Sequence, residues 1–245
     1  MTDVGILVDP RRCIACNACS IACMVENRFP GGVFATNVEE HNHGTYPSVS
    51  MHLVKRSCLH CRDPICVRVC PSQAMRRSEN GAVDHRPELC IGCGYCAFSC
   101  PFQVPKVTKG TAHKCTMCGD RVARGEKPAC VATCPTSALV FGDREDLAQR
   151  AKERLAQLKA IGSNACVYNP AGVGGTSVLY VLCDRPSAFG LPEQPRVSGA
   201  VRIWQDLVKP YATWLIPLAM LGTIVSLVTT RLAKRGDEDE REEED

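Results

Sequence analysis

Aromatic side chains are scarce in this chain: six phenylalanines, five tyrosines and two tryptophans make 5% of its 245 residues. Aromatics supply much of the buried area of ordinary cores, so a large conventional core is not expected. The fold then needs cross-links of another kind. Strong charge of either sign is also missing. The 29 basic and 26 acidic residues leave a formal net charge of +3, so nothing in the balance implies nucleic acid. The first ten residues show no basic region followed by an apolar stretch, which argues against a secretory signal on this chain. Neither phosphate-cradling glycine pattern, G-x-x-x-x-G-K-[ST] or G-x-G-x-x-G, occurs. No grouping of nucleophile, base and orienting acid marks a catalytic site, and no C-x-x-C-H run marks covalent haem.

The excess lies in cysteine. Eighteen cysteines are about 7% of the chain, well above ordinary usage. Disulfides, structural zinc and iron–sulfur clusters compete to explain them. Disulfide frameworks belong to short secreted domains. Zinc favours paired C-x2-C motifs with long spacers. Sixteen of the eighteen fall into four tetrads. Motif one is Cys13, Cys16, Cys19 and Cys23; motif three is Cys90, Cys93, Cys96 and Cys100. Both match the ferredoxin run C-x2-C-x2-C-x3-C. Motif two (Cys58, Cys61, Cys66, Cys70) and motif four (Cys115, Cys118, Cys130, Cys134) keep the ends of that run and widen its middle.

This spacing suits a cubane. Three thiolates in one tight loop wrap one cluster, and the fourth, three residues on, points to the other cluster of a pair. Proline follows Cys70, Cys100 and Cys134 and stops a helix from continuing; Met24 follows Cys23 instead. Zinc does not account for this repeated offset. Sixteen thiolates make four sites of four, so four [4Fe–4S] clusters are expected. Cys166 and Cys183 stand outside and read as buried free thiols.

The repeat implies an α+β chain built of two ferredoxin-like double-cluster modules, over 1–142. Val4–Val8 reads as a strand entering motif one. Asn80-Gly81 predicts a type I′ hairpin between motifs two and three. Residues 24–57 form an insert carrying His41, His43 and His52, read as surface polarity rather than a metal site. His60 lies inside motif two, where four thiolates already stand, so it is not read as a ligand; a supporting role beside the cluster stays open. Lys106, Lys109, Lys114, Arg121 and Arg124 surround motif four, either raising a cluster's potential or forming a solvated face. A helix–strand extension is expected over 143–209. Its helix, 143–161, presents Leu147, Ala151, Leu155 and Leu158 at helical spacing, with Asp143 as cap and Gly162 as stop. Val178–Leu182 reads as a buried strand.

Residues 210–230 carry no charge, a length that spans a bilayer as one helix. Tyr211 and Trp214 suit an interfacial belt, and Pro217 kinks the helix or marks its first turn. Arg231, Lys234 and Arg235 beyond it favour a cytoplasmic C-terminus. An acidic tail, 231–245, is expected to be solvated and disordered.

The four tetrads in this order resemble the iron–sulfur (beta) subunits of membrane-bound molybdopterin oxidoreductases, over nearly the whole chain. His113-Lys114-Cys115-Thr116-Met117-Cys118-Gly119-Asp120-Arg121-Val122 and Pro128-Ala129-Cys130-Val131-Ala132-Thr133-Cys134-Pro135 are typical of such subunits. Tyr168-Asn169-Pro170-Ala171-Gly172-Val173-Gly174-Gly175-Thr176, the strand after it, Gly190-Leu191-Pro192 and one C-terminal transmembrane helix resemble respiratory formate dehydrogenase beta subunits. Pro30-Gly31-Gly32-Val33-Phe34 is more similar to polysulfide or other sulfur-oxyanion reductase subunits, and hydrogenase-linked subunits share part of the layout. The resemblance implies a ligand pairing: Cys13, Cys16, Cys19 with Cys134; Cys23 with Cys115, Cys118, Cys130; Cys58, Cys61, Cys66 with Cys100; Cys70 with Cys90, Cys93, Cys96. It also implies a non-catalytic wire between a molybdenum or tungsten pterin subunit and a membrane cytochrome b and quinone. The cluster domain would lie in the periplasm and the C-terminus in the cytoplasm, after export together with a partner that carries a signal.

Overall fold

Val4–Val8 forms strand β1, and its inward residues Ile6, Leu7 and Val8 are buried. The computed structural model describes residues 3–242. Nine further strands follow: β2 (Thr36–Thr45), β3 (Ser48–Ser57), β4 (Met75–Arg77), β5 (Val83–His85), β6 (Lys106–Thr108), β7 (Thr111–His113), β8 (Leu139–Asp143), β9 (Cys166–Tyr168) and β10 (Val178–Leu182). The α-helices are α1 (Ala18–Glu26), α2 (Ile65–Arg68), α3 (Tyr95–Ser99), α4 (Gly119–Ala123), α5 (Ala129–Ala132), α6 (Arg144–Ala160), α7 (Gly199–Arg202) and α8 (Lys209–Glu242). The chain is mixed α/β, in two compact units, Met1–Val197 and Ser198–Asp245.

The only sheet of more than two strands among the described residues has the order β8-β1-β10-β9. β1 runs parallel to β10, with Ile6 opposite Val178, and antiparallel to β8, with Ile6 opposite Phe141. The apolar run 178–182 is buried along its whole length, as a strand covered on both faces must be. Helix α6 covers one face. Leu147, Ala151 and Leu158 pack on Leu7, Leu179 and Val181, with Leu155 half-buried beside them. Its start is the expected one: the Asp143 carboxylate accepts the N–H groups of Glu145 (2.8 Å) and Asp146 (3.4 Å). This sheet holds both ends of the cysteine-rich region. β1 leads through a single 3₁₀ turn, capped by Asp9, into Cys13, and β8 leaves from Cys134.

Three two-stranded hairpins complete the first unit. The turn joining β4 and β5 differs from the expected type I′. Only Gly81 of the Asn80-Gly81 pair takes a positive φ (83°), and the Gly81 N–H bonds Ser78 O at 3.0 Å. Glu79 and Asn80 occupy the centre of the turn, and Gly81 supplies the left-handed residue after it. The insert 24–57 contributes the β2–β3 ribbon, and its histidines are not free surface polarity. His41 pairs across from His52. The His43 Nε2 lies 2.7 Å from Ala188 O, and the His52 ring lies 4.7 Å from that of Phe189. That face of the ribbon packs on the 3₁₀ turn Pro186–Phe189.

Proline decides how each tetrad ends. After Cys70, Cys100 and Cys134 the chain leaves the helix at once, and Gln73, Gln103 and Ser137 take the same left-handed turn (φ 56°, 53° and 53°). α2, α3 and α5 are accordingly four or five residues long. With Met24 after Cys23, α1 runs on to Glu26 and spans nine residues.

In the second unit, α7 is followed by a π-helical turn, Ile203–Val208, and by α8. The stretch Gly199–Arg231 is long and apolar enough to cross a membrane; its most apolar 18-residue window has mean hydropathy 1.8. Pro217 lies inside α8 rather than in its first turn. The backbone stays helical through Glu242, so the tail is not coil over 231–242; the helix propagates from the apolar span. Residues 243–245 lie outside the described residues.

Candidate metal centres

The sixteen tetrad cysteines gather in four groups. An apolar cavity under β1 is lined by Cys13, Cys16, Cys19 and Cys134, together with Val8, Ile14 and Leu139. A second is lined by Cys58, Cys61, Cys66 and Cys100 with Leu59, Ile65 and Phe102. A third is lined by Cys70, Cys90, Cys93 and Cys96 with Met75, Val107 and Ala112. The fourth forms around Cys23, which is buried beside Cys115, Cys130 and Cys118. The groups follow one another in space. The Cys13 and Cys23 groups share motif one, and the Cys58 and Cys70 groups share motif two. His60, in the Cys58 loop, lies 3.4 Å from the Cys115 sulfur, where the two halves come together.

Thiol chemistry differs along this row. In the two middle groups burial dominates. It raises Cys58 and Cys130 to about 11 and Cys66 to about 12, and raises Cys23 and Cys61 further. In the two end groups some thiols lie on the acid side of the ordinary value. Burial pushes Cys70 up, but the N–H groups of Met75, Ala74 and Ser72 and the Ser72 hydroxyl outweigh it. At Cys134 the Thr136 hydroxyl and the N–H groups of Ala138, Leu139 and Thr136 do the same. These are matching Cys-Pro-Ser and Cys-Pro-Thr turns. Solvent reaches Cys16 in one end group and Cys93 in the other; both are exposed.

Two lysines are buried among the thiols. Lys55, on β3, is 4% exposed and lines the Cys13 cavity. Its ammonium donates to Ser57 Oγ at 2.8 Å. Burial works against its charge, but Cys130, the Tyr180 phenol, Cys115 and Cys19 together hold its pKa above the ordinary lysine value. Lys114 is 1% exposed and lines the Cys58 cavity. Its ammonium donates to Val83 O (2.5 Å) and Cys115 O (2.8 Å), and its charge lowers the pKa of Cys58 and Cys66. A buried lone ammonium is strongly disfavoured unless negative charge compensates it. His60 is fully buried between them. Burial first, then Lys114 and Lys55, holds its pKa well below the usual histidine value.

The donor set fits an iron–sulfur cluster. A single zinc ion draws its ligands to within about 2.3 Å, whereas among the described residues no three His, Cys, Asp or Glu side chains converge to hold one ion. Three of the groups instead surround apolar spaces with four sulfurs each, the all-cysteine set that [4Fe–4S] clusters use.

Sequence reading missed Lys55 altogether: a lysine three residues before a motif carries no local sign that β3 turns it inward. Of the five basic residues around motif four, only Lys114 is buried. Arg121 pairs with Glu26 (3.1 Å) and Glu126 (3.0 Å), and Arg124 with Glu126 (2.8 Å), at the surface. Cys166 and Cys183 are half-buried and belong to none of the four groups; Cys166 Sγ donates to Asp184 O at 3.4 Å.

Comparison with known proteins agrees with this chemistry. The family model described as a 4Fe-4S dicluster domain matches residues 49–144. The nitrate-inducible formate dehydrogenase iron-sulfur subunit of Escherichia coli K12 is 38% identical over 98% of this chain and 90% of its own length. The formate dehydrogenase-O iron-sulfur subunit of the same organism is 41% identical, over 86% of this chain and 78% of its own. The B subunit of the Wolinella succinogenes polysulfide reductase is 42% identical over 62% of this chain and 82% of its own. Identity of this order over most of both proteins, on top of four grouped cysteine tetrads, means that the chain belongs to the family of iron–sulfur electron-transfer subunits that includes those of formate dehydrogenases.

Proposed function

We propose that the four cysteine groups hold four [4Fe–4S] clusters in the row Cys13, Cys23, Cys58, Cys70, and that the chain serves a formate-oxidising molybdenum or tungsten pterin subunit as its non-catalytic electron-transfer subunit. The observation that carries this is the crossing of ligands: every group takes three thiols from one motif and one from its partner motif, so that two motifs support two neighbouring sites. Each such cluster supplies one-electron transfer when bound. The chain's own residues do the rest. Apolar side chains such as Val8, Leu59 and Met75 keep water from the cavities, and Lys55 places fixed positive charge between the Cys13 and Cys23 sites and Lys114 beside the Cys58 site.

The ends of the row are where electrons enter and leave. Cys16 and Cys93 are exposed, and so are apolar side chains of the same segments: Ile14, Ile21 and Val25 near Cys16 in the chain, and Ile91, Tyr95 and Phe98 near Cys93. Exposed apolar side chains of this size mark contact surfaces. One end would meet the catalytic subunit and the other a membrane cytochrome b. In this reading 1–142 form two double-cluster modules, 143–209 form a helix–strand extension and 210–230 cross the bilayer. Residues 231–245 lie in the cytoplasm, on the side favoured by Arg231, Lys234 and Arg235, with the clusters in the periplasm. The similarity to a polysulfide reductase subunit supports a second reading, the same wire serving a sulfur-compound reductase.

The test is anaerobic. Formate is added to the complex purified from native membranes, and the iron–sulfur visible absorption is followed. Rapid bleaching is the expected result. Bleaching with dithionite but not with formate would overturn the formate assignment and move the chain to the second reading.

A further inference from the structure

His60 stands where the two halves of the row meet. It belongs to the Cys58 loop, two residues after Cys58 and next to Cys61, and takes a left-handed backbone (φ 49°) that turns its ring out of that loop. The ring crosses to the other half: Nε2 lies 3.4 Å from Cys115 Sγ. On its far side the Val83 N–H donates to Nδ1 at 2.9 Å. A neutral imidazole carries one N–H, and a ring nitrogen that accepts cannot also be the one protonated. The proton is therefore on Nε2, aimed at the sulfur. The ring is 0% exposed, so no water competes for this bond. Cys115 also accepts the Met117 N–H at 3.4 Å, but that bond is local to its own loop. Among the described residues, His60 is the donor that reaches it from the other motif pair.

We propose that His60 is a positioning residue that raises the reduction potential of the cluster held by Cys23, Cys115, Cys118 and Cys130, and so matches the two halves of the row at their junction. This rests on the ligand assignment proposed above. The physical reason is simple: a hydrogen bond donated to a ligand sulfur stabilises the more negative, reduced state, and does so more strongly in a dry site. The same ring fixes the distance between the halves, since its backbone is anchored beside Cys61 and its tip at Cys115.

Two variants test it in the full complex: His60→Leu removes the N–H while keeping bulk, and His60→Gln keeps an N–H at similar reach. Iron and acid-labile sulfide are measured first, because a shortfall of both in the native protein speaks against the cluster assignment itself and not against His60. Redox titrations followed by electron paramagnetic resonance then read each cluster separately. The expected result is that one signal moves to lower potential in His60→Leu, the others stay, and His60→Gln restores most of the shift. Unmoved potentials in a fully loaded His60→Leu complex would overturn the proposal. If that variant does not assemble, the native protein decides. With ¹⁵N-labelled histidine, one reduced cluster should show a weak imidazole coupling that His60→Gln abolishes; no such coupling would equally overturn it.

Discussion

The two middle cysteine groups and the two end groups are made from the same motifs yet sit in opposite surroundings. At the ends one thiol of each group is exposed, the fourth cysteine is bound by a hydroxyl and several N–H groups, and the same segments carry exposed apolar side chains. In the middle the thiols are pushed up by burial, and the compensation comes from the charges of Lys55 and Lys114, both buried, with the neutral His60 ring beside them. The ends are built to be touched and the middle to be insulated. Backbone and hydroxyl donors serve where water is near; full charges are required where it is not.

The largest break in this contrast comes from exchanging a ligand. Cys115→Ser strikes a buried thiol that also receives His60, and metal binding here is coupled to folding. The expected outcome is a chain that fails to accumulate in the membrane complex. Cys93→Ser strikes an exposed edge. That complex should assemble with at most one cluster's iron missing. Immunoblots and iron content of the two purified complexes check the pair; equal behaviour would erase the distinction between middle and end.

A charge placed at an end should separate partners without touching the clusters. Phe98 is 92% exposed on α3, the helix that follows Cys93. If it anchors a subunit contact, Phe98→Asp should weaken that contact by at least about 2 kcal/mol, the size of an interface hot spot. Subunit dissociation, with the visible iron–sulfur spectrum unchanged, is the measurement. A charge removed from the middle should do the reverse. Lys114→Met leaves the surface intact but takes away a positive charge facing Cys58 and Cys66. At an effective dielectric of about 20 this is on the order of 2 kcal/mol against the reduced state. Redox titration should show a middle cluster lowered while the subunits stay together.

The sequence made the ends of the contrast readable and hid its middle. Spacing alone placed all sixteen cysteines in tetrads; which other tetrad supplies each group's fourth cysteine came only from the family resemblance. β1, β10 and the helix from Asp143 were legible because apolar period and cap chemistry are local. What was not legible depends on residues far apart. Lys55 reaches the Cys13 cavity because the β2–β3 ribbon folds back along motif one. His60 finds Cys115 across 55 positions of sequence. The Asn80-Gly81 turn was located but mistyped, since the hairpin register moved the left-handed position onto Gly81 alone.

The smallest effect sharpens the comparison by touching neither side of it. Helix α6 packs on the sheet that joins Cys13 to Cys134, but none of its side chains lines a cysteine cavity. Its cap, Asp143, bonds two N–H groups at the surface. Asp143→Ala should therefore cost about 1 kcal/mol of stability, seen as a modest fall in the thermal midpoint of the complex. All cluster potentials should stay where they were. A potential that moved with this change would mean that the sheet, and not the local donors, sets the chemistry of the Cys13 group, and the contrast between ends and middle would then belong to the scaffold.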